Sequence, residues 1–568
     1  MVCRLAALVG LCLLACAGAP ARPVAAPREP TGDTPASDAK EAPTPSAVDA
    51  DLDWAAHPRL DFQRGDPKLP VRLMEGQTEI AFSSSGRLRI YLRGDVDKTV
   101  DGAPGSRWSV RVRGSEPARW STRIILGTLS YADKSGVAAE QQAWQERGVS
   151  VRLRTIGTVY GIRGHVIDNR RYLLLLDEQL QAEQVPERQH SLEREFGIAT
   201  STTEDIERQA SGSLELFDGD GNLVAISKDR LTAQPVDANS IVVRRVEFGV
   251  GYDFHGFEDR NYRGSLEVAV DRRGRLAAVN LISLEELLKG LVPAEMFARA
   301  PIEALKAQAV TARGEVLAKI GTKHIGDGYL LCSEQHCAVY KGLSGEAESS
   351  STAVDATRGE ALFSSDHRLV DSVYSAVCGG HTENNEAVWA GPASPYLRGR
   401  PDVLDREPAP PPSRNVAAFL SSDTPAACRL ASLAQPGKYR WERRFSPEEV
   451  DRLTSTLGIG AFKTVTVLER GVSGRSRSIE ISGSLGTVQV RGELNIRKLF
   501  GMLNSSLFLI DIERSPTGAL QALIFRGGGW GHGVGMCQLG AIGRAERGQD
   551  YKAILRHYFN GAEVFRLY

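Results

Sequence analysis

Neither sign of charge is in excess. Of the 568 residues 24% are charged, yet the formal net charge is −1, which removes the electrostatic case for nucleic acid as a partner. The apolar run that opens the chain falls short of bilayer thickness once its small-residue end is counted. The motif HExxH does not occur, so a zinc amidase or peptidase ranks behind other readings. The glycine-rich block "GGGWGHGVGMCQLGA" lacks the Lys-Ser/Thr that completes a phosphate-binding loop, which argues against nucleotide binding. Cysteine is scarce. Of the 8 present, Cys3, Cys12 and Cys16 fall in the first residues, leaving Cys332, Cys337, Cys378, Cys428 and Cys537, an odd set that cannot all pair.

What is present is the make-up of a soluble globular protein, 42% hydrophobic, long enough for roughly two to four domains. "MVCRLAALVGLCLLACAGAP" places Arg4 ahead of a short apolar run, the pattern of a secretory signal, so the chain is expected to be exported. Within it "LLAC" resembles the lipobox of bacterial lipoproteins, with Cys16 acylated as the first mature residue. Cleavage at the nearby "ACA" is the alternative. Residues 1–16 are thus a signal peptide with lipobox. Residues 17–58, rich in Ala, Pro and small polar residues, are a tether too poor in apolar side chains to build a core. A lipid on Cys16 would hold the body at a bacterial membrane, as a periplasmic or cell-surface lipoprotein.

Residues 59–235 are expected to form a β-rich accessory module. "LRIYL", "WSVRVRG", "VSVRLRTIG" and "RYLLLL" alternate in the manner of strands, with turn residues between them. The arginines at alternate positions suit a solvated face better than a site for an anionic polymer. Residues 236–568 mix both element types, with a Pro-rich excursion near 400–435. "GSLEVAVDRRGRLAAVNLI" has the pattern of a hairpin turning at "DRRG". Later, Ser446, Pro447 and Glu449 open a helix. The fold class is therefore α+β: the accessory module first, then a mixed α+β catalytic domain.

The most informative stretch is "SLEELLKGLVPAEMFARAPIEALKAQAVTARGEV". Ser283 and Glu286 form a capping box, Leu284, Leu287, Leu288 and Leu291 make one apolar face, and Gly290 with Pro293 is expected to end the helix. Pro301 opens the next helix, and Ile302, Leu305, Ala309, Ala312 and Val316 recur at helical spacing up to Gly321. Glu295 is left in the connection, among Leu, Val, Pro, Met and Phe. A carboxyl so placed is costly to ionise, and its pKa should rise toward the range where it donates a proton near neutral pH. A capping glutamate, or one paired with Arg299 or Arg313, is the competing reading.

Eight blocks resemble the SpoIID/LytB, or amidase-enhancer, family, named for sporulation stage II protein D. They are "YRGSLEV", "LEELLKGLVPAEM", "EALKAQAVTAR", "SEQHCAVYKG", "AVDATRGEAL", "YSAVCGGHTENNEAVW", "SPYLRGRPD" and "GGGWGHGVGMCQLGA", in family order from about residue 262 onward. The resemblance implies a lytic transglycosylase that cuts the MurNAc-GlcNAc backbone of peptidoglycan, on strands stripped of stem peptides as the sporulation relatives do. It places the catalytic acid and base at Glu295. One carboxyl protonates the departing glycosidic oxygen and then deprotonates the C6 hydroxyl of the same sugar, closing a 1,6-anhydro ring, so no second carboxylate is required. The family's older name implies the rival role, a non-catalytic wall-binding protein that enhances a cell-wall amidase.

The resemblance also implies zinc near the cleft. "LCSEQHCAVYKG" and "VCGGH" offer Cys332, His336, Cys337 and Cys378 as four ligands, and a disulfide remains the competing reading in an exported protein. Candidate glycan-binding residues are Tyr374, Ser375, His381, Trp530 and His532. Trp530 is suited to stack on a sugar face, His532 to orient Glu295, and the glycines to let backbone approach a sugar, with a structural Trp, a core His and a Tyr374–Ser375 pair that only shapes the groove as the competing readings. Gly314 and Glu315 depart from the hydroxyl and aromatic residues usual after "AVTAR", as does Ala338 from the common Gln.

Overall fold

The computed structural model describes residues 60–568, apart from 64, 95, 239, 251–254, 335, 336, 338, 390 and 405–410. The signal, Cys16, the tether, His336, Ala338 and much of the Pro-rich run lie outside the described residues.

The hairpin read from the sequence forms: Ser265–Val270 pairs antiparallel with Leu276–Ser283, and Asp271 Oδ1 closes the turn by accepting from the N–H groups of Arg273 and Arg275, each at 2.8 Å. The hairpin sits inside an eight-stranded sheet, flanked by Asp66–Gln77 on one side and by Arg230–Pro235, Leu88–Leu92 and Lys98–Gly102 on the other. The boundary expected at residue 235 therefore does not separate two bodies, because strands from both sides of it are hydrogen-bonded neighbours. The second, six-stranded sheet likewise draws from both sides, from Glu79–Ser83 to Gly256–Arg263. Both sheets and the helices after the hairpin share one apolar core, in which Val71, Ile90 and Val268 meet Phe82, Val110 and Leu214, and then Leu288 and Leu305.

The separable part is smaller. Arg107–Glu116 and Ser211–Phe217 pair directly, with Glu116 opposite Ser211, and the chain between them forms an inserted module. Its order is strand, helix, strand, strand, helix, strand: Arg119–Ser130, Lys134–Glu146, Val151–Ile156, Arg171–Leu176, Val185–Phe196 and Ser201–Arg208, with a small hairpin before the third strand. The four strands pair antiparallel, with the first and third in the middle, the split βαβ arrangement. Its own core holds Ile124, Trp144, Leu174 and Leu192. The alternating arginines here are not free for a polymer: Arg123, Arg152 and Arg154 converge on Asp205 at 3.1, 2.7 and 2.5 Å.

Ser283 caps Leu284–Glu295, its Oγ accepting from the Glu286 N–H. The helix does not stop at Pro293 but runs on to Glu295. Proline removes one donor only, and the Met296 N–H still reaches the Val292 carbonyl at 2.9 Å. Gly290 is a packing residue, since a Cβ there would meet the Tyr340 ring at 2.8 Å. The next helix, Ile302–Lys319, is buried almost all round, which its alanines permit. Gly314 is explained in the same way, because a Cβ would lie 2.3 Å from Ser372 Oγ.

These two helices are locked by an ion pair. Arg313, fully buried, makes a fork to Glu285 with both contacts at 2.7 Å, and Tyr568 donates to the same carboxylate at 2.6 Å. Arg313 is thereby withheld from Glu295. Removing one partner leaves an unpaired charge in the core, so Arg313→Ala is expected to cost about 3–5 kcal/mol in urea unfolding. A loss below about 1 kcal/mol would contradict this role.

Candidate active site

Glu295 is the last residue of its helix and stands half-buried on the wall of a pocket of about 330 Å³. Met296, Phe297, Val377, Leu433, Leu539 and Ile542 give the pocket its apolar lining, and Gln435, Lys438 and Gln538 its polar groups. Burial, reinforced by the neighbouring Glu315 carboxylate, pushes the Glu295 carboxyl up to about 7, against a downward pull from the Val339 N–H and the Lys319 ammonium.

The groups behind Glu295 form a connected set. Glu315, one helical turn before Lys319, pairs with it at 2.8 Å, and both side chains are 16% exposed. Burial raises the Glu315 pKa despite that partner. Burial works against the Lys319 charge, but Glu315 overrides it, and Lys319 Nζ also donates to the Cys337 carbonyl at 2.6 Å. Tyr374 hydrogen-bonds Glu315 and Gln308. Gln538 Nε2 donates to the Glu295 carbonyl at 2.9 Å and to Gln308 Oε1 at 3.2 Å. The departure at Glu315 thus supplies a second carboxylate close enough to influence Glu295, held by Lys319 and Tyr374 rather than presented to the pocket.

The expected binding residues divide. Trp530 is exposed at the rim, with Lys438 Nζ 4.7 Å from its ring centroid. Tyr374 serves the network behind Glu295. Ser375 is buried beside the pocket residues Ala376 and Val377. His532 packs on Trp389 with ring centroids 4.8 Å apart, and its Nδ1 accepts from the Val534 N–H at 3.1 Å. Burial, with Arg475 and Arg497, drives its pKa down to about 3, so it is neutral. His381 is buried, its Nδ1 2.7 Å from the Thr382 carbonyl oxygen, and does not line the pocket. Two of the glycines expected to face a sugar are required by protein packing. A Cβ on Gly533 would lie 2.3 Å from the Arg475 guanidinium, and one on Gly535 2.1 Å from the Val373 carbonyl oxygen.

The expected metal set is also rearranged. Cys332 and Cys337 do come together, His324 joins them among the described residues, and the three ligand atoms lie within 4.8 Å of one another; the expected His336 lies outside the described residues. His324 Nε2 is 3.3 Å from Cys337 Sγ, while its Nδ1 faces Asp327 Oδ2 at 3.3 Å. Two thiols and an imidazole oriented by a carboxylate are three of the four ligands that a zinc ion takes, so the group could hold a metal. The stretch "HIGDGYLLCSEQHC" places His324 ahead of both cysteines, a signal the reading of the shorter "LCSEQHC" did not include. Cys378 is elsewhere, beside Cys428, Cys537 and Asp402, because Tyr374–Ser375 pairs in parallel with Met536–Cys537 and draws it to that segment.

A half-buried acid at a pocket, backed by a thiol-histidine cluster, is the frame in which the comparisons fall. Residues 272–363 match the family model described as Stage II sporulation protein, and residues 383–535 match a domain of unknown function, DUF8618. An uncharacterized protein of Brachyspira hyodysenteriae is 30% identical over 318 residues, 55% of this chain and 74% of the relative. An amidase enhancer of Bacillus subtilis is 25% identical over 65% of this chain and 53% of its own length. A stage II sporulation protein D of Bacillus amyloliquefaciens is 25% identical over 50% of this chain and 75% of its own. The chain belongs to the SpoIID/LytB, or amidase-enhancer, family.

The raised acid has a stability cost with a defined sign. Glu295 is neutral in the folded protein below about pH 7, and its ordinary value is 4.5. The protonated form is favoured by folding, so its contribution is complete below pH 4.5 and is lost as pH rises through 7. Glu295→Gln should therefore be more stable than wild type at pH 8, by about 2–3 kcal/mol in urea unfolding, and equal to it near pH 4. A pH-independent difference would contradict the burial.

Proposed function

We propose that this protein works on the bacterial cell wall as an exported lytic transglycosylase, cutting peptidoglycan strands with Glu295 as the single general acid and base. The observation that carries this reading is a carboxyl raised to about 7 on a pocket whose lining includes no other carboxylate. An ordinary glycosidase needs two facing acids, whereas ring closure by the substrate's own C6 hydroxyl needs one.

Protonated Glu295 donates to the glycosidic oxygen as the bond to the muramic sugar breaks. The carboxylate that results is steadied by the Val339 N–H and Lys319, and then takes the C6 hydroxyl proton as the 1,6-anhydro ring forms. Gln538 fixes the Glu295 backbone, and the exposed Phe297 and Trp530 offer faces for sugar rings at the pocket edge. Zinc held by His324, Cys332 and Cys337 would act as a structural clip on the loop that carries Val339. Export and an acyl chain on Cys16 would keep the site beside its polymer.

Wild-type protein should release anhydro-muropeptides from purified strands, read by mass spectrometry with and without stem peptides. Glu295→Gln should still bind strands while cutting about 10²–10⁴-fold more slowly. Equal release by the variant would remove the catalytic assignment and leave the amidase-enhancing role. Because the wild-type acid is protonated below about 7, kcat/KM should fall as pH rises through that value. Glu315→Gln, which removes a negative charge and frees the Lys319 ammonium, should move that fall to lower pH. An unmoved profile would exclude Glu315 from tuning the acid.

A further inference from the structure

The five cysteines of the described residues sort into two groups, one of them the pair with His324. The other three, Cys378, Cys428 and Cys537, converge with Asp402 in the interior, all four at 0% exposure, with ligand atoms within 4.8 Å of one another. We propose that Cys378, Asp402, Cys428 and Cys537 form a second, structural zinc site that ties together the pocket wall facing Glu295.

Two of the separations match the edges of a coordination polyhedron, and the rest lie within 4.8 Å. Cys378 Sγ lies 3.7 Å from Cys428 Sγ and 3.4 Å from Asp402 Oδ2. Tetrahedral zinc with Zn–S of about 2.3 Å and Zn–O of about 2.0 Å has edges of about 3.7 Å between sulfurs and about 3.5 Å between sulfur and oxygen. A disulfide needs about 2.05 Å and would strand the third thiol beside a buried carboxylate. Three thiolates and a carboxylate satisfy all four positions of a closed structural site.

The surroundings orient these ligands as outer groups do in metal centres. Asp402 turns Oδ2 toward Cys378, while its Oδ1 accepts from the Tyr558 hydroxyl at 2.7 Å and from Arg544 at 3.2 Å. Cys537 Sγ accepts from the N–H groups of Cys378 at 3.2 Å and Gly540 at 3.3 Å, as the cap of helix Gln538–Ala545, a setting that favours thiolate. Gly540 has to be glycine, since a Cβ would lie 2.0 Å from the Tyr558 hydroxyl. Arg544, itself buried, offsets part of the ligands' negative charge.

Each cysteine adjoins a different part of the pocket wall. Cys378 follows Val377, Cys537 precedes Gln538, and Cys428 begins the segment that reaches Gln435 and Lys438. One ion would hold three segments distant in sequence, including the Gln538 that bonds the Glu295 backbone.

The test is a metal count on full-length protein purified under reducing conditions without added metal, independent of whether glycan is cut. Elemental analysis should find two zinc ions per chain, and cobalt replacement should give thiolate-to-cobalt charge-transfer absorption for both. Cys332→Ser/Cys337→Ser should retain one zinc. Cys378→Ser/Cys428→Ser should also retain one if it folds. If it does not, the wild-type count and mass mapping of its thiols decide. No zinc in wild type, loss of all zinc from folded Cys332→Ser/Cys337→Ser, or a Cys378–Cys428 disulfide would overturn the second site; a single zinc in wild type is assigned by whether that variant keeps it.

Discussion

The arrangement depends on keeping one carboxyl out of water. Glu295 keeps its proton up to about pH 7 because the helix that carries it ends on a pocket of apolar side chains, with Glu315 behind it adding repulsion. Everything around the acid resists the collapse of that state. The buried Glu285–Arg313 pair fixes the two helices, Gln538 holds the backbone at the acid, and the loop after Cys337 supplies the single N–H that receives the carboxylate once it forms. An acid left free to swing into solvent would return toward its ordinary value and lose its use as a donor.

The helices and the acid were legible in the sequence because their signals are local. A serine three residues before a glutamate, leucines at helical spacing and a carboxyl among apolar neighbours are all read within one or two turns, and Ser446 with Glu449 forms its capping box for the same reason. What the pattern missed depends on distant partners. Proline and glycine near Glu295 looked like helix stops, yet one costs a single donor and the other makes room for Tyr340. Strands on both sides of residue 235 share sheets whose pairing no local pattern announces. The two helices of the inserted module, Lys134–Glu146 and Val185–Phe196, were hidden by the strong alternation of the strands around them.

The cysteines make the same point. Nearness in sequence favoured Cys378 as a partner of Cys332 and Cys337, but the fold sends Cys378 to Cys428 and Cys537 and brings His324 to the other pair. In the glycine-rich block, Gly533 and Gly535 are demanded by Arg475 and Val373 packed against them, partners that no local pattern announces. Glu295 is part of one contiguous motif, whereas each thiol cluster is assembled from residues the chain brings together from separate segments.

The central claim is the protonation state of one side chain, and it can be observed without substrate. An infrared titration of side-chain carboxyls, taken as the difference between wild type and Glu295→Gln, should show a protonated carboxyl at pH 6 that ionises with a midpoint of about 7. A midpoint at the ordinary 4.5 or below would contradict the account.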